Sequence, residues 1–172
     1  HNELLDAYKS LDQKLKNEIE LHYAGSIESE DDKKRILQAA EEERTIFYHG
    51  TVTGEEKRKL LAGSHVFCLP TYYPYEGQPI SILEAYASGC VVLTTDQGGI
   101  GDIFENNVNG FLIEKRSPES IQKVTHMMLE KGLVDGGRMT RMALFNRQLA
   151  FKNFRTSIFV SSILKVIKSL EP

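Results

Sequence analysis

Apolar and polar positions divide the chain into short apolar runs and longer amphipathic stretches. Between Asn2 and Lys14 the residues Leu4, Leu5, Tyr8 and Leu11, continued by Leu15, recur at the spacing of one helical face. Ile19 to Ala24 ends at Gly25-Ser26 and predicts a strand and a turn. A helix over Asp31 to Glu42 follows, then a short strand of β-formers over Thr45 to Tyr48. Thr53, with Glu56 three residues on, predicts a capping box for a helix that reaches Ala62 and stops at Gly63. Further strands are predicted at Val66 to Leu69, Val91 to Thr95 and Phe111 to Ile113. Pro79 opens a helix after the first of these, and a glycine-rich turn, Gln97 to Gly101, follows the second. Ser117-Pro118 starts a helix to about Lys131, and helices near Gly137 to Ala150 and Thr156 to Leu170 close the chain.

Nearly continuous apolar strands that alternate with helices predict an α/β fold, a Rossmann-like parallel sheet with helices on both faces. Ligands of such sheets bind at the carboxyl ends of the strands, near helix N-termini. The loop from Leu69 to Pro79 lies at such an end. The helix opened by Pro79 leaves the N–H groups of Ile80 and Ser81 without helical acceptors, and its dipole favours an anion such as a phosphate. Each effect is worth about 0.3–1 kcal/mol. Two glutamates flank this end: Glu76 beside Gly77 in a loop of Pro and Tyr, and Glu84 one turn inside the helix.

The 172 residues, 41% apolar and 26% charged, fit one globular domain or slightly more and exclude a disordered or fibrous chain. No run of 18 apolar residues is present, so neither a membrane-spanning helix nor a signal peptide is expected. With His1 as first residue, the chain is expected to begin inside a longer protein. Cys68 and Cys90 lie in apolar runs and read as buried thiols, which favours a reducing, cytoplasmic compartment. The net charge of −3 hides an asymmetry: Gly136 to Leu170 holds seven basic residues and no acidic one, which leaves 14 basic against 24 acidic residues elsewhere. The tail is expected to attract the body; it either docks on it as a solvated face or meets anionic membrane lipid or an acidic partner. Nucleic acid is not expected, because no reader motif accompanies the basic residues.

Neither G-x-G-x-x-G nor G-x-x-x-x-G-K-[ST] occurs, which removes the main support for a dinucleotide dehydrogenase or a P-loop enzyme. His22, His49, His65 and His126 lack ligand spacing, so no metal is expected. What remains is one long pattern, "EGQPISILEAYASGCVVLTTDQGGIGDIFENNVNGFLI". It resembles the donor-binding half of the family 4 (group 1) retaining glycosyltransferases, which have the GT-B fold. Glu76 and Glu84 match that family's two glutamates, Glu84 to Gly89 its E-A-x-A-x-G helix end, and Gly98-Gly99 and Asn109-Gly110-Phe111 its later turns. A looser similarity runs from Leu4 to about Leu170.

The resemblance implies a transferase that moves a hexose-type sugar from a nucleotide diphosphate sugar with retention of configuration, without a metal or other cofactor. It implies that Glu76 is catalytic, contacting the donor sugar, and that Glu84 grips the ribose hydroxyls. Gly77, Gln78, Pro79, Ile80 and Ser81 would complete the donor-binding site around the diphosphate. Each charge-assisted bond of such a carboxylate is worth about 1.5–3 kcal/mol. It further implies that residues 1–172 form a donor domain truncated before its first strand, with the acceptor domain absent. Such a chain is expected to bind donor weakly and to transfer nothing alone. Gln78, Val91 and Gly101-Asp102 stand where the family commonly has an apolar residue, Pro and Pro-Glu. Tyr72, Tyr73 and Tyr75 either line an acceptor cleft or pack the loop onto the sheet, and Gly98 and Gly99 either approach the ligand or serve a turn. A sugar-nucleotide epimerase or phosphorylase of the same two-domain plan, or a non-catalytic binding module, are the alternative readings.

Overall fold

The computed structural model describes residues 1–130 and 137–169. It opens with helix α1 (Asn2–Lys9) and the one-turn helix α2 (Gln13–Lys16), where the apolar spacing predicted one helix to Lys14. The break has local causes. The Ser10 hydroxyl donates to the Ala7 carbonyl, and the Asp12 carboxylate accepts the Leu15 N–H at 2.9 Å, capping a second helix. The apolar face survives it, for Leu5, Tyr8, Leu11 and Leu15 are buried in one cluster.

The remaining elements follow in alternation: β1 (Leu21–Tyr23), α3 (Glu30–Glu42), β2 (Ile46–Tyr48), α4 (Gly54–Ala62), β3 (Val66–Leu69), α5 (Ile80–Ser88) and β4 (Val91–Thr94). A 3₁₀ turn (Gly98–Asp102), β5 (Gly110–Leu112), α6 (Pro118–Glu130), α7 (Arg138–Asn153) and α8 (Thr156–Ser169) complete the chain. The expected ends at Lys131 and Leu170 lie outside the described residues. Ser29 caps α3, its hydroxyl accepting from the Asp32 N–H. Thr53 holds the cap position of α4, but the predicted capping box does not form. Its side chain bonds no helix amide, because Gly54 enters at φ +52° and turns the first residue out of helical geometry.

All strand pairing is parallel, in two hydrogen-bonded groups rather than the single sheet expected. β1 pairs β2, with Leu21 opposite Ile46, and β4 lies between β3 and β5, with Phe67 opposite Val92 and Leu93 opposite Phe111. Among the described residues β1 and β3 each keep one edge unpaired. Helices cover both faces, as β4 shows: Val92 points into a cluster with Ile82, Tyr86 and Ala150 of α5 and α7, while Val91 and Leu93 point into another with Met128 of α6. Every residue of β4 is buried, which is why its run is unbroken by polar positions.

The basic tail departs from expectation. α7 packs on α5 and β4 through buried Met142, Asn146 and Ala150, and at its start the Arg138 guanidinium donates to Oδ1 of Asn107 at 2.9 Å and lies over the Phe111 ring at 5.5 Å. None of the basic side chains of residues 137–169 forms an ion pair with the body among the described residues. The Arg147 and Arg155 guanidinium groups lie over the Phe151 ring at 5.8 and 5.2 Å instead.

Candidate functional site

The loop 70–79 leaves the carboxyl end of β3 and enters α5. Its glutamate is held from two sides. The Thr71 hydroxyl donates to Oε2 of Glu76 at 2.9 Å, and the Gly99 N–H donates to the Glu76 carbonyl at 3.1 Å. The glycine pair explains the second contact. A Cβ at Gly98 would fall on the Glu76 carbonyl oxygen, and one at Gly99 would lie 2.9 Å from the Gly77 carbonyl oxygen. Gly98 also sits at φ +53°. The close approach that these glycines permit is therefore to the backbone of the Glu76 loop.

Pro79 is buried at the N-cap of α5 and supplies no side-chain cap. The Ile82 N–H bonds the Pro79 carbonyl at 3.1 Å, while the N–H groups of Ile80 and Ser81 have no acceptor among the described residues. No acidic residue occupies the first turn, and Ile80 is 71% exposed, so this positive end faces open space. Gly77 and Gln78 are exposed beside it.

Glu84, half-buried on α5, has its own partner. Nζ of Lys57, from the first turns of α4, stands 2.5 Å from its Oε1. The ammonium fixes the carboxylate toward the α4 side of the helix. The two glutamates are thus oriented independently, one by a hydroxyl and one by an ammonium. Lys57 and Thr71 are partners of these glutamates that the motif did not single out.

Tyr72, Tyr73 and Tyr75 do not pack the loop onto the sheet; all three are exposed, Tyr75 at 82%. Tyr73 and Tyr75 meet edge to face at 5.8 Å, and Tyr72 lies beneath the Arg116 guanidinium at 4.4 Å. A cavity of about 430 Å³ opens beside them, lined by Asn2, Thr71, Tyr72, Tyr73 and Arg116 among others. His22 and His49 do come together, Nδ1 of His22 2.9 Å from Nε2 of His49, stacked with Phe47. Among the described residues no three His, Cys, Asp or Glu side chains gather to hold a metal. Burial pushes the Cys90 thiol up to about 11, so it is neutral near pH 7 and no nucleophile. No helix among the described residues is long and apolar enough to cross a membrane.

Parallel strands flanked by helices on both faces give this chain the α/β architecture of a GT-B glycosyltransferase fragment. The family model described as "Glycosyl transferases group 1" matches residues 1–142, and the chain belongs to that family. An uncharacterized glycosyltransferase of Methanocaldococcus jannaschii is 33% identical over 76 residues, 44% of this chain and 19% of that protein. The amylovoran biosynthesis glycosyltransferase AmsK of Erwinia amylovora is 26% identical over 108 residues, 57% of this chain and 26% of that protein. Among solved structures, Anabaena Alr3699/HepE in complex with UDP superposes with a TM-score of 0.81 at 20% identity, over 99% of this chain and 45% of that one. The chain therefore spans less than half the length of each of these proteins.

Proposed function

We propose that this chain binds the nucleotide diphosphate sugar donor of a retaining glycosyltransferase that moves a hexose-type sugar to an acceptor. The observation that carries this reading is the Glu76 loop, clamped by Gly99 and Thr71 at the unfilled N-terminus of α5. Glu84, aimed by Lys57, takes the ribose hydroxyls. Glu76 with the backbone of Gly77 and Gln78 places the sugar, and Pro79 sets the entry into α5. The N–H groups of Ile80 and Ser81 meet the diphosphate as negative charge grows on it during departure. We assign neither metal nor cofactor to this step. The Anabaena structures in complex with UDP and with UDP-glucose support a nucleotide-sugar partner.

Two further parts belong to the reading. A strand inserted between the open edges of β1 and β3 would join the two strand groups in the doubly wound order, in which the first strand lies between the second and the fourth. An acceptor domain outside these residues would supply the rest of the site, so the chain alone transfers nothing. The protein works in the cytoplasm, and its basic segment 137–169 lies on anionic membrane. α8 supports this placement, since Phe159, Val160, Ile163, Leu164, Val166 and Ile167 are all exposed on one broad arc while Lys165 and Lys168 stand on the other.

Titration of the isotope-labelled chain with UDP-, GDP- and ADP-sugars tests the donor site. One nucleotide is expected to move amide signals between Thr71 and Ser88. Glu84→Gln should weaken it about tenfold or more, since it exchanges a charge-assisted bond of about 1.5–3 kcal/mol for a neutral one. Undiminished binding in that variant would remove Glu84 from the site. Sedimentation with vesicles tests the membrane placement. The chain is expected to pellet with anionic vesicles, less so as salt rises, and a Lys165→Glu/Lys168→Glu variant to stay in solution. Equal pelleting with neutral vesicles, or none with either, would refute it.

A further inference from the structure

The parallel ladder between β3 and β4 ends where Leu69 stands opposite Thr94. Beyond it, two threonine side chains tie down the chain that leaves β3. The Thr94 hydroxyl donates to the Leu69 carbonyl at 3.0 Å, and the Thr95 hydroxyl donates to the Thr71 carbonyl at 2.5 Å. Both residues are 0% exposed and extend the apolar run Val91-Val92-Leu93. Valine has nearly the shape of threonine, so burial alone would favour valine at both positions. A buried hydroxyl costs free energy unless a hydrogen bond offsets it, and at Thr95 that bond reaches past the sheet into the Glu76 loop.

Thr71 carries the constraint onward. The Tyr73 N–H donates to its hydroxyl oxygen at 3.2 Å, and the one proton of that hydroxyl is given to Oε2 of Glu76 at 2.9 Å. The backbone of Glu76 is held separately: its N–H donates to the Tyr73 carbonyl, and its carbonyl accepts the Gly99 N–H, each at 3.1 Å. The glycine turn therefore fixes the main chain of Glu76, while the two threonines fix its side chain. Oε2 is committed to Thr71, which leaves Oε1 to meet a ligand. Every bond of this relay joins residues from 71 to 99, remote in sequence from the start of the chain.

We infer that Thr95 is a positioning residue that sets the Glu76 carboxylate through Thr71, although Thr95 itself is closed off from any ligand. A hydroxyl, a carbonyl, a second hydroxyl and a carboxylate stand in series, so removing the first frees Thr71 to shift and the carboxylate with it. A side chain on a loop is held less precisely than one on a helix or strand, and the relay lends Glu76 the rigidity of the buried end of β4. Its service to the donor sugar rests on the proposed donor reading; the hold on Glu76 does not.

The test follows the Glu76 carboxyl carbon signal in the labelled chain, first free and then with UDP, GDP and ADP and their glucose conjugates. In the free chain Thr95→Val should move that signal, and Thr95→Ser should restore it because serine keeps the hydroxyl. Thr71→Val should move it too, and it tests the second link even where Thr95→Val does not fold. With the nucleotide that the parent binds, both valine variants should weaken the glucose conjugate about threefold to tenfold, the loss of one hydrogen bond's hold. The bare diphosphate should lose less than about twofold, since Glu84 and the N–H groups of Ile80 and Ser81 lie outside the relay. A signal unmoved in either valine variant, or moved as far in Thr95→Ser, would overturn the relay. A lowered Tm beside an unmoved signal would make Thr95 a prop of the fold alone. Equal loss of the conjugate and the bare diphosphate would overturn the positioning role and leave the donor site standing. A parent that answers no nucleotide removes the donor reading, and the free-chain signal then decides the relay by itself.

Discussion

A Gly98→Ala variant is expected to lose about 2–5 kcal/mol of stability and, more tellingly, to weaken nucleotide-sugar binding about tenfold or more. Two costs combine. A side chain at φ +53° is disfavoured by about 1–2 kcal/mol. The added Cβ would also occupy the position of the Glu76 carbonyl oxygen, and relieving such an overlap costs about 1–3 kcal/mol. The cheapest relief is to push the loop away, because loop 70–79 carries exposed tyrosines while the glycine turn is anchored by buried Ile100. Displacing Glu76 breaks the Gly99 N–H bond and pulls the carboxylate from Thr71. Urea denaturation gives the stability change, and titration with the nucleotide sugar identified on the parent chain gives the binding change. A variant with lowered stability but unaltered binding would mean that the glycine pair holds the fold and not the site.

This dependence marks where the sequence was legible and where it was not. The alternation of elements could be read because each depends on neighbours a few positions away. The α5 run from Ile80 and the buried strand Val91–Thr94 show their periods in consecutive residues. The break after Lys9 was missed because Ser10 and Asp12 chose local side-chain bonds that the surrounding leucine spacing masks. Likewise Thr53 and Glu56 have the spacing of a capping box, yet the φ of Gly54 decides against it. Glycines at 98 and 99 announce a close approach without saying to what, and only the fold shows the Glu76 backbone there. The partners of the two glutamates were hidden for another reason. Lys57 reaches Glu84 across 27 positions between two helices, and Thr71 reaches Glu76 inside a loop that has no period. The charge asymmetry of the tail was plain in the composition, but the buried seat of α7 is made by Met142, Asn146 and Ala150, and of its basic residues Arg138 bonds a neutral amide, Asn107, rather than a carboxylate.

One of those side chains should give the larger stability loss. Asn146→Leu is expected to cost about 3–5 kcal/mol although it keeps the number of side-chain heavy atoms and adds apolar surface. The Asn146 side chain is wholly buried on α7 and makes three hydrogen bonds of 2.8 Å. Its Oδ1 accepts from Nδ2 of Asn109, and its Nδ2 donates to the carbonyls of Cys90 and Asn109. The Asn109 carbonyl retains a bond from the Val92 N–H at 3.1 Å, so that acceptor survives the change. Nδ2 of Asn109 and the Cys90 carbonyl do not, and each orphaned buried group costs about 1–3 kcal/mol. Asn109 has a second duty, since its Oδ1 accepts the Glu105 N–H at 2.8 Å and shapes the turn into β5. Loss of its anchor therefore loosens the entry to β5 as well as the seat of α7 on the start of β4. An apolar replacement is the informative one: by simple hydrophobicity Leu should stabilise the site, whereas the bond inventory says that it must destabilise it. A fall in the urea midpoint with an unchanged slope would bear out the inventory, and a midpoint at or above that of the parent would mean that α7 is held by Met142 and Ala150 alone.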